Sequence, residues 1–174
     1  MVAVLNLEPL LEPLFCNDSY GYRPSKSAID AVGVTRKRCW ECDWLIEFDI
    51  KGMFDHIDHE LLMKAVRKHT DCKWLILYIE RWLKAPFQMP DGKLVERTAG
   101  TPQGGVISPI LANLFMHYAF DKWMEIHNSD NPWARYADDG LIHCKTKAEA
   151  EQVLELLNKR MTECKLNYTL RKQG

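Results

Sequence analysis

Two short apolar runs, Trp133 to Tyr136 and Leu141 to Cys144, flank the string Ala137-Asp138-Asp139-Gly140. The runs read as strands, and the string between them reads as the tight turn of a hairpin. No other stretch constrains the chain so closely, because it fixes where one hairpin lies and what its tip requires. Neighbouring carboxylates repel each other, so the pair calls for a counter-charge. In phosphoryl-transfer enzymes that counter-charge is commonly a pair of divalent cations.

A third carboxylate stands at the end of another apolar run. Trp44 to Ile50 is nearly continuous in large hydrophobic residues, as a buried strand is, and Asp49 sits near its end. A lone acid in such a place is unfavourable unless it is paired or bound to a metal. If this strand lies beside the hairpin, Asp49, Asp138 and Asp139 converge on one sheet edge. Oxygen ligands of this kind suit Mg2+, which keeps several waters and is completed by substrate phosphates. Two such ions roughly 3.5–4 Å apart serve nucleotidyl transfer, one activating a hydroxyl and one stabilising a leaving oxygen. Three exposed acids in turns is the plainer reading of the same spacing, since Asp is a common turn residue.

The remaining segments supply a framework. Val2 to Phe15 has helical spacing at Leu7, Leu10, Leu11 and Leu14, with Pro9 and Pro13 expected to hold it to short pieces. A turn-rich loop, Asn17 to Pro24, leads to a helix through Ala28, Ile29 and Val32, for which Ser25 is the expected N-cap. Asp58 caps a helix with the apolar face Leu61, Leu62, Ala65 and Val66. The next helix carries Leu75, Tyr78, Ile79, Trp82 and Leu83 and stops at Pro86. Asp91-Gly92 signals a hairpin, weakened by Pro90. After the glycine-rich loop Gly100 to Gly105, Ser108-Pro109 offers an N-cap and a first-turn proline to a helix bearing Leu111, Leu114, Phe115 and Tyr118. Thr146 and Glu149 form a capping box for the stripe Ala150, Val153, Leu154, Leu157, Met161 and Cys164. An alternating segment, Leu166 to Leu170, follows. This order predicts an α+β fold, a sheet covered by helices on one face.

Composition narrows the class. With 174 residues, 47% hydrophobic and 27% charged, the chain suffices for one domain with its own core. No apolar run approaches the roughly 20 residues needed to cross a bilayer. Met1 to Leu7 lacks the basic start and cleavage site of a signal peptide, so a cytoplasmic location is expected. The net charge is −1, from 23 Lys and Arg against 24 Asp and Glu, which is low for a nucleic-acid binder. The 6 cysteines follow no repeating framework and are expected to be free thiols. Cys39-x-x-Cys42 with His56-x-x-His59 approaches a zinc-finger pattern, but the histidines are one residue too close and an apolar strand replaces the finger helix.

Four stretches, taken in order, resemble reverse transcriptases of the bacterial group II intron type. They are Ser19-Tyr-Gly-Tyr-Arg-Pro-Ser-Lys-Ser27, Phe48-Asp-Ile-Lys-Gly-Met-Phe-Asp-His-Ile-Asp-His59, Gly100-Thr-Pro-Gln-Gly-Gly-Val-Ile-Ser-Pro-Ile-Leu-Ala-Asn-Leu-Phe115 and Tyr136-Ala-Asp-Asp139. The resemblance implies an RNA-directed DNA polymerase with a palm-type antiparallel sheet, helices packed on one face of it, and part of the helical fingers. It divides the chain into partial fingers (1–42), palm (43–57 and 100–174) and a fingers/palm connection (58–99). The N-terminal fingers, thumb and maturase regions are expected outside this stretch, with the basic surfaces on them. Without them the chain is expected to hold template and primer poorly and to be poorly active.

The same resemblance implies roles. Asp49 and Asp138 would bind two catalytic Mg2+ ions, for which Mn2+ can substitute, with the Ile50 carbonyl as a further ligand and Asp139 completing the triad. Phe54 would exclude a nucleotide's 2′-hydroxyl by clash; a core phenylalanine fits its periodicity equally well. Gln103 and Gly104 would line the nucleotide pocket, and Tyr136 and Ala137 would lie near the primer terminus. Lys172 best matches a lysine that protonates pyrophosphate, in surroundings (Leu166 to Gln173) that depart from the family's Leu-x-Leu-x-Pro-x-Lys-Thr. Tyr20 to Pro24 reads mainly as structural, and Arg23 fits either a contact to nucleic-acid phosphate or an internal salt bridge. The implied partners are an RNA template, a DNA primer and dNTPs, with intron RNA bound through regions outside this chain and no membrane; homodimerisation is left open. Two rivals stand beside this reading: a host-adapted reverse transcriptase serving defence or diversity generation, and a non-catalytic RNA-binding splicing maturase with a relict palm.

Overall fold

Phe48 lies at the centre of the fold. It belongs to strand β1 (Trp44–Ile50), whose inner residues Ile46, Phe48 and Ile50 are buried while Leu45, Glu47 and Asp49 are only half-covered. That period of two is what a strand with one covered face requires. The computed structural model describes residues 2–89, 91–102 and 104–171. Before β1 come helices α1 (Val2–Leu11) and α2 (Ala28–Arg38). After it come α3 (Met53–His56), α4 (His59–His69), α5 (Lys73–Lys84) and a small hairpin of β2 (Phe87–Gln88) and β3 (Leu94–Val95). Then follow α6 (Ser108–Met116), a π-helical turn (His117–Asp121), α7 (Lys122–His127), β4 (Trp133–Tyr136), β5 (Asp139–Cys144), α8 (Lys147–Glu163) and β6 (Tyr168–Leu170).

The main sheet runs β4-β5-β1-β6, antiparallel throughout. Helix α8 packs on β1 and β5. From the π-helical turn, Phe120 meets Phe48 edge-on at 5.1 Å and Trp133 at 5.3 Å between ring centroids. Helix α6 is buried from Ile110 to Met116. A helix apolar on every side belongs inside, and α1 and α4 pack against it. Of the predicted stripes, Leu62, Ala65 and Val66 of α4, Leu75, Ile79 and Leu83 of α5, and Ala150, Val153, Leu157 and Met161 of α8 are buried, whereas Tyr78 and Trp82, expected in the α5 stripe, stand exposed at its edge. This is the expected α+β, palm-type arrangement. No helix among the described residues is long and apolar enough to cross a membrane.

Several local expectations need correction. Helix α2 is capped by Ser27, in a capping box with Asp30, and not by Ser25, whose φ of 60° takes it out of line. Ile29 and Val32 of that helix are 83% and 66% exposed, so neither joins the core. Helix α1 runs through Pro9. The proline removes one donor, on the side of exposed Leu5, while buried Leu7 and Leu11 hold the other side. Ser108 is the first residue of α6 and no cap; its hydroxyl donates to the Pro102 carbonyl at 2.7 Å. Strand β5 begins at Asp139, so the hairpin turn is the two residues Ala137 and Asp138. The π-helical turn and α7 have no counterpart in the periodic reading, because an added residue shifts the helical phase after Met116.

The α8 cap is as predicted. Thr146 Oγ1 accepts from the Glu149 amide at 3.2 Å, and Glu149 Oε2 accepts from the Lys145 amide at 2.7 Å. The Lys145 N–H holds the Glu149 carboxyl below its usual value. A lowered folded value means that this contribution is complete above the unfolded carboxyl's pKa of about 4.3 and is lost as pH falls through the folded one. Thr146→Ala is expected to lower stability by about 1 kcal/mol in urea unfolding at neutral pH. An unchanged midpoint would refute the assignment.

Candidate active site

Strand register sets two of the three acids opposite each other. Asp49 of β1 faces Asp139 of β5 directly across the antiparallel pair, and the Ile50 amide donates to the Asp138 carbonyl at 3.1 Å. Directly opposed residues share a sheet face, with Cβ atoms about 5 Å apart. Burial pushes the Asp139 carboxyl above its usual value; Arg171 pulls it down, and Asp138, Asp49 and Glu47 push it up again. Asp139 Oδ1 is buried and accepts no well-aligned hydrogen bond, and the Arg171 guanidinium stands 2.9 Å from it. Hard oxygen donors of this kind are the chemistry a divalent cation such as Mg2+ takes, but among the described residues the three carboxylates do not close to within reach of one ion, and the cation paired with Asp139 is Arg171. A concavity of about 370 Å³ opens on this face, between α2 and the hairpin, with Val32, Tyr136 and Asp139 among its walls.

The turn itself is tightly supported. Ala137 has φ of 56° and is buried, whereas Tyr136 is 42% exposed. Behind the turn lies a fully buried ion pair: Arg135 Nε and Nη2 each donate to Asp121 at 2.7 Å. Arg135 also donates to the Ala137 carbonyl at 2.8 Å, to Ser19 Oγ at 2.8 Å and to Asn113 Oδ1 at 3.2 Å. In turn, Asn113 Nδ2 donates to the Gly21 carbonyl at 2.7 Å. A Cβ on Gly21 would lie 2.9 Å from Ala137 Cα, so only glycine lets that loop close on the turn. Arg135, Asp121, Asn113 and Arg171 went unread in the sequence. The one local hint was Arg135 standing alone inside an otherwise apolar strand.

The other expected site residues take separate places. Phe54 is half-buried on α3, its ring edge-on to Tyr22 at 5.9 Å. Its carbonyl accepts from the Thr101 amide at 2.6 Å, and His59 Nε2 bonds the Gly100 carbonyl at 2.7 Å, so the glycine loop is fastened beside it. Gly104 has φ of 77°, and a Cβ there would meet open space among the described residues. Gln103 and Lys172 lie outside the described residues. Arg23 pairs with Glu12 at 2.7 Å and donates to the Cys16 and Ser19 carbonyls, an internal salt bridge.

All six cysteines are free thiols. Cys39, Cys42, His56 and His59 form no metal-ligand group among the described residues; Cys16, His117 and Asp121 are the set that does come together. There both Asp121 oxygens are taken by Arg135, and burial pushes the Cys16 thiol up to about 12 and the His117 imidazole down to about 4.

Residues 1–173 match the family described as reverse transcriptase (RNA-dependent DNA polymerase). The group II intron-encoded protein LtrA of Lactococcus lactis subsp. cremoris is 38% identical over 119 residues, 68% of this chain and 19% of LtrA. An uncharacterized 91 kDa protein in the cob intron of Schizosaccharomyces pombe is 32% identical over 166 residues, 95% of this chain and 20% of that protein. The chain thus spans about a fifth of the length of these relatives. In fold it is similar to apo telomerase from Candida tropicalis, with a TM-score of 0.67 at 14% identity over 99% of this chain and 36% of that one. Because the family match runs almost end to end and these relatives are intron-encoded, the chain belongs to the reverse transcriptase family, alongside the group II intron-encoded proteins.

Proposed function

We propose that this chain carries the catalytic centre of an RNA-directed DNA polymerase of a group II intron-type retroelement, adding dNTPs to a primer 3′-hydroxyl. The observation that carries the reading is Asp49 facing Asp139 across the sheet, with Asp138 beside it in the turn. Asp49, Asp138, Asp139 and the Ile50 carbonyl are the groups that would hold two Mg2+ ions. When bound, such ions supply activation of the hydroxyl and charge stabilisation at the leaving oxygen. The chain's own residues do the positioning. Phe54, whose carbonyl accepts from the Thr101 amide, would be the aromatic that meets the sugar. Gly104, where even an added Cβ would meet no described residue within 4 Å beyond its chain neighbours, leaves room for a nucleotide at the loop that Gln103 shares. Exposed Tyr136, with Ala137 behind it, is the surface offered to the primer end. Lys172 is the candidate proton donor to pyrophosphate. On this reading residues 1–42 are part of the fingers, 43–57 and 100–174 the palm, and 58–99 the connection between them.

The test is primer extension on an RNA template by the full-length protein containing this chain, with dNTPs and Mg2+. Synthesis that stops on chelation is expected, and Phe54→Ala is expected to admit ribonucleotides. Absence of synthesis overturns the reading; undiminished sugar selection in the variant removes Phe54 from it.

A further inference from the structure

A fully buried arginine is costly unless every donor is met, and Arg135 meets that demand in an informative way. A guanidinium has five N–H groups. Two go to Asp121, one to Ser19 Oγ, one to Asn113 Oδ1, and the last to the Ala137 carbonyl. No donor is left over. The carbonyl it reaches belongs to the peptide joining Ala137 to Asp138, the central peptide of the two-residue turn.

That peptide is the one element of such a turn with two choices. The two primed hairpin turns share φ > 0 at the first central residue and differ in the sign of φ at the second. Rotating the central peptide interconverts them. Here Ala137 has φ of 56° and Asp138 is not among the positive-φ residues, the pattern of the II′ form. Position one of a II′ turn favours glycine, and alanine stands there against its intrinsic preference. Something outside the turn therefore holds it. Arg135 does so from the carbonyl side, and Gly21, itself fixed by Asn113, closes on Ala137 from the other.

We infer that Arg135, clamped by Asp121, is a positioning residue that sets the Ala137–Asp138 peptide and through it the metal affinity of the acid cluster. This rests on reading Asp49, Asp138 and Asp139 as a cation site. The ion pair is therefore more than core filling. Outer partners that orient metal ligands commonly change affinity by about 10–100-fold when removed.

The experiment is Mn2+ binding to this chain, followed by the loss of the free-ion electron paramagnetic resonance signal, alongside urea unfolding. Two variants are compared. Arg135→Met with Asp121→Leu replaces the buried pair by apolar side chains, an exchange that buried pairs often tolerate. Arg135→Lys keeps the charge opposite Asp121 but cannot span Asp121, Ser19 and Ala137 at once. The expected result is cooperative unfolding near the parental midpoint with Mn2+ affinity at least about tenfold weaker. Parental Mn2+ affinity in a folded double variant overturns the inference. Should the double variant fail to unfold cooperatively, Arg135→Lys decides by the same criterion. No Mn2+ binding by the unsubstituted chain is a different result: it removes the cation-site reading, and this inference with it.

Discussion

Asp138→Asn in the full-length protein is expected to slow nucleotide incorporation on the order of a thousandfold while leaving the fold intact. A metal-held charge contributes several kcal/mol to a transition state, and each factor of ten corresponds to about 1.4 kcal/mol. Asparagine keeps the size of the side chain but loses its negative charge, so cation binding should weaken in parallel. Stability should not follow, because Asp138 is half-exposed and its tie to the sheet is the backbone bond from the Ile50 amide. Single-nucleotide extension rates and a urea melt of the same preparation separate the two effects. Undiminished DNA synthesis by the variant would sink the assignment of Asp138.

Gly140→Ala should do the opposite, harming the fold first. Gly140 faces Phe48 across the β1–β5 pair, and a Cβ there would come within 2.5 Å of Phe48 Cε1 and closer still to Cζ. The ring has nowhere to go: it is fully buried, with Phe120 at 5.1 Å and Tyr168 at 6.0 Å between centroids. Overpacking of this kind typically costs 1–3 kcal/mol, and a cross-strand clash on a fixed ring belongs at the upper end, about 3 kcal/mol. Phe48→Leu in the same chain should recover part of the loss, a non-additivity that a double-mutant cycle reads directly. Equal stability of Gly140→Ala and the parent would mean that the strands can separate there without penalty. Asp139 is the next residue, so any surviving Gly140→Ala protein should also bind Mn2+ less well.

Much of this molecule was legible because its signals are local. Alternating burial made β1 readable, the i, i+3, i+4 stripes made α4, α5 and α8 readable, and Thr146 with Glu149 marked the start of α8. The helix caps were less secure. Ser25 was the expected cap of α2, but its left-handed φ removes it and Ser27 caps the helix instead. The exposure of Ile29 and Val32 could not be foreseen, since hydropathy records what a residue is and not whether a neighbour reaches it. The ion pair of Arg171 with Asp139 could not be read, because a contact between residues 32 positions apart leaves no trace in spacing.

By itself, then, the sequence determined the strands, the hairpin and the three carboxylates, since each depends on a period or turn a few residues long. It also carried the family, because four motifs in order are long enough to be specific. Only the tertiary structure decided how the carboxylate turn is held. The bonds that hold it join Arg135 to Asp121, Asn113 and Ser19, at separations of 14, 22 and 116 residues. Contacts that distant have no period. They exist only once the helices have closed on the sheet and left one guanidinium with five acceptors around it.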